Sequence, residues 1–170
     1  RGARWTAAAR ALAHCHAQRP SIVHRDVKTA NLLLVKGSST TPLPHIKLCD
    51  FGLCGSRIGD AGTPAYMAPE LLTCKPFGRG VDVYALAVVL WELFSRQVPF
   101  AGWRPLDIRD AVSTGTRPPL SSLSADTPTA VEALITECWD GAAGKRPEAA
   151  IVVARLEAAL SEALAGEGLR

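Results

Sequence analysis

The segment from Val81 to Phe94 constrains the fold more than any other part of this 170-residue chain. All of its residues are apolar except Asp82 and Glu92. The run is shorter than the ~20 residues that a membrane-spanning helix needs, and it carries two charges. A helix that is apolar on nearly all sides must be surrounded by other elements. The run therefore predicts a buried central helix and no membrane span.

The segments on either side predict further helices and one small β-hairpin, so the expected fold class is mainly α, in one domain over residues 1–170. Thr6–Gln18 has helix-forming composition, and Arg19-Pro20 ends it. Leu32–Val35 and Ile46–Cys49 are short apolar or alternating runs that we expect to pair across a turn-rich segment. Four more helices are expected: Ala68–Cys74, Pro105–Val112, Thr129–Trp139 and Pro147–Leu164.

Composition and charge exclude some classes of partner. The chain has 19 basic and 16 acidic residues, a net charge of +3, and 6% aromatic residues. This charge is too small to predict a nucleic-acid partner. The five cysteines include no Cys-x-x-Cys pair, so we expect reduced thiols and a cytoplasmic location. Cys15, Cys74 and Cys138 are expected to be ordinary buried thiols.

Polar residues around the hairpin are suited to phosphate and metal chemistry. Asp26 and Asn31 lie five positions apart in the loop before the first strand, and Asp50 follows the second strand. The hairpin can bring these positions to one point, where a carboxylate and an amide oxygen suit Mg²⁺. Asp26 is then free to orient a hydroxyl nucleophile, and Lys28 can neutralise a phosphoryl group in transfer.

These residues belong to three motifs in a fixed order. His24-Arg25-Asp26 and Asn31 match H-R-D-x-x-x-x-N, Asp50-Phe51-Gly52 matches D-F-G, and Ala68-Pro69-Glu70 matches A-P-E. One such motif is a weak signal, but three in order are a strong one. The chain therefore resembles the C-terminal lobe (C-lobe) of a eukaryotic protein kinase.

The resemblance covers essentially the whole chain and indicates a subgroup. It continues through Asp82-Val83-Tyr84 to Lys145-Arg146-Pro147. Lys28 resembles the lysine of serine/threonine kinases, and residues 62–70 resemble the tyrosine-kinase-like group, which includes Raf-like and mixed-lineage kinases. This resemblance implies ATP and Mg²⁺ as cofactors and protein substrates with Ser or Thr.

The resemblance also implies roles for single residues. Asp26 would be the catalytic base, and Lys28 would contact the γ-phosphate of ATP. Asn31 and Asp50 would hold Mg²⁺. Leu33 would pack under the adenine. Cys49, next to Asp50, would face the nucleotide pocket, so its alkylation is expected to block ATP binding.

Other residues would support the site. Thr63 would help to form the wall that binds the substrate, and Asp82 would accept hydrogen bonds from the catalytic-loop backbone. Glu70 and Arg146 would form a buried ion pair. We interpret His24 as a core histidine that positions the loop.

A regulatory site is also expected from the resemblance. Arg25 would dock a phosphate of the activation loop. Ser56 is then the expected phosphorylation site, with help from Arg57.

The chain lacks one half of a kinase ATP clamp. It contains no G-x-G-x-x-G loop and no V-A-I-K lysine, which close over ATP in the family. It begins at Arg1, and its one methionine is Met67, so we expect a piece of a longer protein whose N-terminal lobe (N-lobe) lies upstream. The alternative hypothesis is an inactive pseudokinase or scaffold module that binds other proteins.

Overall fold

In this computed structural model of the chain, the structure describes residues 3–36, 45–54 and 62–167. Within these ranges it consists of six α-helices and one two-stranded antiparallel sheet, so the prediction of a mainly α fold is confirmed. The helices are α1 (Ala3–Ala17), α2 (Pro69–Leu72), α3 (Gly80–Ser95), α4 (Pro105–Ser113), α5 (Thr129–Cys138) and α6 (Ala149–Glu167). The strands are β1 (Leu32–Val35) and β2 (His45–Leu48).

Helix α3 is the centre of the domain. Every residue from Val81 to Trp91 is buried, as is Phe94. Helix α5 packs against α3, and α1 packs against both α6 and β2. The apolar run therefore forms the buried helix that its composition predicts, and Leu93, near its end, is its one exposed large apolar side chain. At its end, Arg96 adopts a left-handed conformation (φ 56°), and its N–H donates to the Glu92 carbonyl.

The hairpin places two apolar side chains in solvent. Its register pairs Leu32 with Leu48 and Leu33 with Lys47. Leu33 and Leu34 are 51% and 53% exposed, respectively. This part of the surface lies directly after the loop that contains Asp26.

The structure moves several expected boundaries by one or two residues. Strand β2 runs from His45 to Leu48, so Cys49 lies just beyond it, and α6 begins at Ala149 rather than Pro147. The expectation that Cys74 is buried is wrong. Cys74 is exposed, because the chain leaves α2 in a left-handed turn at this residue (φ 54°). Cys15 and Cys138 are buried, as expected.

None of the helices in the described ranges combines the length and apolar character required to cross a membrane. Among the same residues, there is no group of three or more His, Cys, Asp or Glu side chains arranged to hold a metal ion.

Candidate active site

The backbone of the loop that contains Asp26 is hydrogen-bonded to a buried carboxylate. Asp82, in the first turn of α3, is fully buried and accepts hydrogen bonds from the N–H groups of His24 and Arg25, both at 2.8 Å. Arg25 has a left-handed backbone (φ 69°), so the two N–H groups reach the two oxygens of one carboxylate. The expected role of Asp82 is seen in this geometry.

His24 connects this loop to the segment that follows β2. Its ring is fully buried, and Nε2 lies 3.0 Å from the Cys49 carbonyl oxygen. Nδ1 accepts a hydrogen bond from the Asp26 N–H at 3.3 Å, so Nε2 carries the proton. The ring also contacts Phe51 edge to face, with centroids 4.6 Å apart. These contacts are those of a positioning residue, as the sequence predicts.

Asp26, Lys28 and Asn31 form one hydrogen-bonded cluster. Lys28 Nζ donates to Asp26 Oδ2 at 2.6 Å and to Thr63 Oγ1 at 3.1 Å. Asn31 Nδ2 donates to Asp26 Oδ2 at 3.0 Å and to the Asp26 carbonyl at 2.8 Å. Asp26 and Asn31 are both buried. Asp26 and Asn31 of the H-R-D-x-x-x-x-N pattern are therefore brought together with Lys28, and Thr63 lies beside them.

Asp50 reaches the same region from the hairpin. The Cys49 N–H and the Cys49 thiol both point to the Asn31 carbonyl oxygen, at 3.0 and 3.3 Å. Asp50, the next residue, is exposed and has a left-handed backbone (φ 64°). Its Oδ1 accepts the Gly52 N–H at 3.3 Å. The hydrogen bond between the Cys49 N–H and the Asn31 carbonyl thus fixes the backbone position from which the Asp50 side chain extends.

Arg25 lies beneath the segment after Asp50. Its guanidinium donates to the Leu53 carbonyl at 3.1 Å and stacks on the Phe77 ring at 4.8 Å. The expected phosphorylation site Ser56 and its neighbour Arg57 lie outside the described residues, so their assignment stays a prediction.

The ion pair expected between Glu70 and Arg146 is present. Its two hydrogen bonds measure 2.6 and 2.9 Å, and the Arg146 side chain is fully buried. Arg146 also donates to the carbonyls of Gly80 and Asp140, at 2.9 and 2.8 Å. One side chain thus joins α2, the start of α3 and the loop before α6.

Sequence reasoning missed two supports of the site. His16 Nε2 lies 2.9 Å from Asp82 Oδ2, and no sequence pattern predicted this link between α1 and α3. Tyr66 donates to Glu92 Oε2 at 2.6 Å, and its hydroxyl lies 3.5 Å from Thr29 Oγ1. Burial and the Glu92 carboxylate raise the pKa of Tyr66 well above its usual value. The one sequence signal for the Tyr66 contact is Glu92 itself, because a charge in an apolar helix needs a hydrogen-bond partner.

A mainly helical domain with a loop of this arrangement defines a protein-kinase C-lobe. The family model for the protein kinase domain matches residues 3–155. The chain belongs to the protein kinase family.

Curated relatives agree with this assignment. The chain is 34% identical to the dual specificity protein kinase shkC of Dictyostelium discoideum over 87% of its length and 30% of the relative's. It is 37% identical to the serine/threonine/tyrosine-protein kinase HT1 of Arabidopsis thaliana, over 87% of the chain and 37% of the relative. It is 36% identical to human mitogen-activated protein kinase kinase kinase 7, over 80% of the chain and 22% of the relative. The resemblance to a kinase of the tyrosine-kinase-like group is confirmed, and the chain spans well under half of each relative.

Proposed function

We propose that this chain is the catalytic C-lobe of a protein kinase that transfers the ATP γ-phosphate to Ser and Thr hydroxyls. The observation that supports this most is the complete cluster of Asp26, Lys28 and Asn31 beside Thr63. Inactivation would remove selection on these side chains, yet each is present and each makes a contact suited to its role.

Asp26 would act as the catalytic base. Its Oδ2 is occupied by Lys28 and Asn31, while Oδ1 has no hydrogen-bond partner among the described residues. The occupied oxygen fixes the orientation of the carboxylate, and the open one can accept the proton of a substrate hydroxyl. In this way the hydroxyl oxygen is directed at the phosphorus atom before transfer.

Lys28 would stabilise charge and define the substrate wall. Its ammonium lies between Asp26 and Thr63, so it is held in place before any substrate arrives. A preorganised cation beside the transferring phosphoryl group stabilises the charge on its oxygens. The same bond ties Thr63, and the segment around it, to the catalytic loop.

Asn31 and Asp50 would hold Mg²⁺. Asn31 donates its amide N–H groups to Asp26, so its amide oxygen is available to bind a cation. Asp50 supplies an exposed carboxylate, and amide and carboxylate oxygens are ligands that Mg²⁺ prefers. These residues fit the ion, which in protein kinases neutralises charge on the ATP phosphates.

The hairpin would form the floor of the nucleotide site. Leu33 is half exposed on β1, where an apolar side chain is available for the adenine ring. Cys49 lies just beyond β2 and directly before Asp50. ATP would then be bound between the hairpin and an N-lobe supplied upstream.

The choice of hydroxyl is part of the proposal. The relatives include kinases named as dual specificity and as serine/threonine/tyrosine kinases. The bond between Lys28 and Thr63 holds both side chains beside Asp26, an arrangement that we take to favour the short Ser and Thr side chains. A Tyr hydroxyl stands farther from the peptide backbone and would need a wider approach.

The test is a phosphate-transfer assay on the full-length protein that carries this chain, followed by identification of the phosphorylated amino acids. We expect phosphoserine and phosphothreonine. Asp26→Asn should abolish turnover and leave ATP binding largely intact, while Asp50→Asn should also weaken binding of Mg²⁺·ATP. Phosphotyrosine as the main product would contradict the Ser/Thr assignment. A folded protein that binds partners without transferring phosphate would support the scaffold alternative.

A further inference from the structure

A cavity of about 270 Å³ lies where the ends of three helices meet. Its walls come from the C-terminal turn of α1, the start of α3 and the start of α6. The groups that give it its chemistry are His16, Arg79, Gly80, Glu148, Ala149 and Ala150. Drug-sized ligands occupy pockets of about 300–1,000 Å³, so this cavity suits a smaller ligand.

The starts of α3 and α6 present free backbone donors to this cavity. The N–H groups of Gly80, Ala149 and Ala150 have no acceptor among the described residues. The first N–H groups of a helix carry partial positive charge, and here two helices of 16 and 19 residues contribute. Arg79 adds a full charge, and its ion pair with Glu148 is long, at 3.4 Å.

A buried histidine supplies a second, independent feature. His16 is only 7% exposed and lines the cavity. Its Nε2 is committed to Asp82, and its Nδ1 has no partner among the described residues. In the tautomer that donates the Nε2 proton to the Asp82 carboxylate, Nδ1 is the ring atom that can accept a hydrogen bond. The cavity therefore combines several donors with one buried acceptor.

We propose that this cavity binds inorganic hydrogen phosphate. The unprotonated oxygens of HPO₄²⁻ accept from Arg79 and the helix N–H groups, and its one O–H donates to His16 Nδ1. Sulfate has the same shape and charge but no proton at neutral pH, so it lacks the bond to His16. A tenfold preference for phosphate corresponds to about 1.4 kcal/mol, which is about what one hydrogen bond contributes.

Two successive hydrogen-bonded contacts connect this cavity to the loop that contains Asp26. Phosphate would contact the same His16 ring that holds Asp82, and Asp82 holds the N–H groups of His24 and Arg25. Binding itself requires no nucleotide, so the test below is independent of kinase activity.

The experiment is calorimetric titration of the full chain with sodium phosphate, and separately with sodium sulfate, at constant ionic strength and neutral pH. We expect saturable phosphate binding, about tenfold tighter than sulfate binding. Arg79→Gln should weaken it several-fold. Glu148→Gln should tighten it, because the substitution removes a competing carboxylate, and a misfolded variant cannot produce tighter binding. Arg104→Gln is the matched control, since Arg104 forms a comparable surface ion pair on α4.

Nitrogen NMR of the His16 ring gives a second readout. Phosphate, and not sulfate, should shift the Nδ1 resonance as that atom gains a hydrogen bond. Absence of saturable phosphate binding, equal affinity for the two anions, or unchanged affinity in Arg79→Gln would overturn the proposal.

Discussion

Two tyrosine hydroxyls in this domain have opposite environments. Tyr84 is fully buried on α3, its hydroxyl has no hydrogen-bond partner among the described residues, and burial raises its pKa to about 12. Its ring lies between the guanidinium groups of Arg117 and Arg146, at 5.0 and 5.2 Å. Tyr66, by contrast, donates a short hydrogen bond to Glu92. The hydroxyl of Tyr84 therefore lowers the stability of the fold, whereas the hydroxyl of Tyr66 raises it.

We predict that Tyr84→Phe raises the free energy of unfolding by about 1 kcal/mol, because it removes an unsatisfied buried hydroxyl and keeps the ring between the two arginines. Tyr66→Phe is the matched control and should lower that free energy by about 1–3 kcal/mol, because it leaves the Glu92 carboxylate without its donor. Denaturant unfolding of the three proteins measures both changes. A loss of stability in Tyr84→Phe would show that its hydroxyl has a partner.

The five thiols also differ by environment. Burial raises the pKa of Cys15, of Cys54 and, to about 12, of Cys138, so their thiolate fractions are small at neutral pH. Cys49 is partly exposed at the end of the hairpin, and Cys74 is exposed just after α2.

We predict that alkylation of Cys49 blocks ATP binding and that bound ATP protects this thiol. The measurement is mass-spectrometric labelling of the full-length kinase with and without Mg²⁺·ATP. Cys74 is the internal control, and its labelling should not change with nucleotide. Equal labelling of Cys49 in both conditions would place it outside the nucleotide site.

At the scale of elements, buried charges join helices that the apolar core alone would not orient. Asp82 links α1, α3 and the catalytic loop, and Arg146 links α2, α3 and the segment before α6. Apolar packing is non-directional, whereas each of these contacts requires a particular distance and angle. Such contacts set the position of the catalytic loop relative to the core.

We predict that Arg146→Met lowers the free energy of unfolding by about 3–5 kcal/mol, because Glu70 then stays in a largely dry site without its cation. Arg155→Met is the comparison, since Arg155 pairs with Glu137 on the surface, and it should cost less than about 1 kcal/mol. Thermal and denaturant unfolding give both values. Similar losses in the two variants would mean that the Glu70 pair is effectively solvated.

At the scale of the whole molecule, the chain supplies only part of the nucleotide site that we propose. Leu33 and Leu34 are exposed on β1, Phe51 is exposed next to Asp50, and no residue of the chain matches the Gly-rich loop that covers ATP in this family. Exposed apolar side chains of this kind are a surface that another domain covers, or on which proteins aggregate.

We predict that the 170-residue chain by itself transfers no phosphate at a useful rate, because catalysis of this kind depends on holding the γ-phosphate in line with the hydroxyl. Joined to an N-lobe, the same residues should reach the ~1–100 s⁻¹ usual for kinases. Radiolabelled phosphate transfer to a generic Ser/Thr protein compares the two proteins. Robust activity of the shorter one would refute the need for a second lobe.

The sequence by itself determined the elements and the identity of the family. The Val81–Phe94 run predicted a buried helix because a helix that is apolar on nearly all sides must be surrounded by other elements. The three motifs predicted Asp26, Asn31 and Asp50 because their chemistry depends on residue type and order. The predicted helix and strand boundaries differ from the observed ones by a few residues, as β2 and α6 show, because local composition changes gradually at an element's end.

Only the tertiary structure decided which distant side chains meet. His16 and Asp82 are 66 positions apart, and Tyr66 and Glu92 are 26 apart, so no local pattern records either contact. Cys74 is exposed, although a free cysteine is usually buried, and the chain makes a left-handed turn at this residue. Burial and hydrogen bonding between distant residues depend on how the helices pack around α3, and that packing is a property of the whole chain.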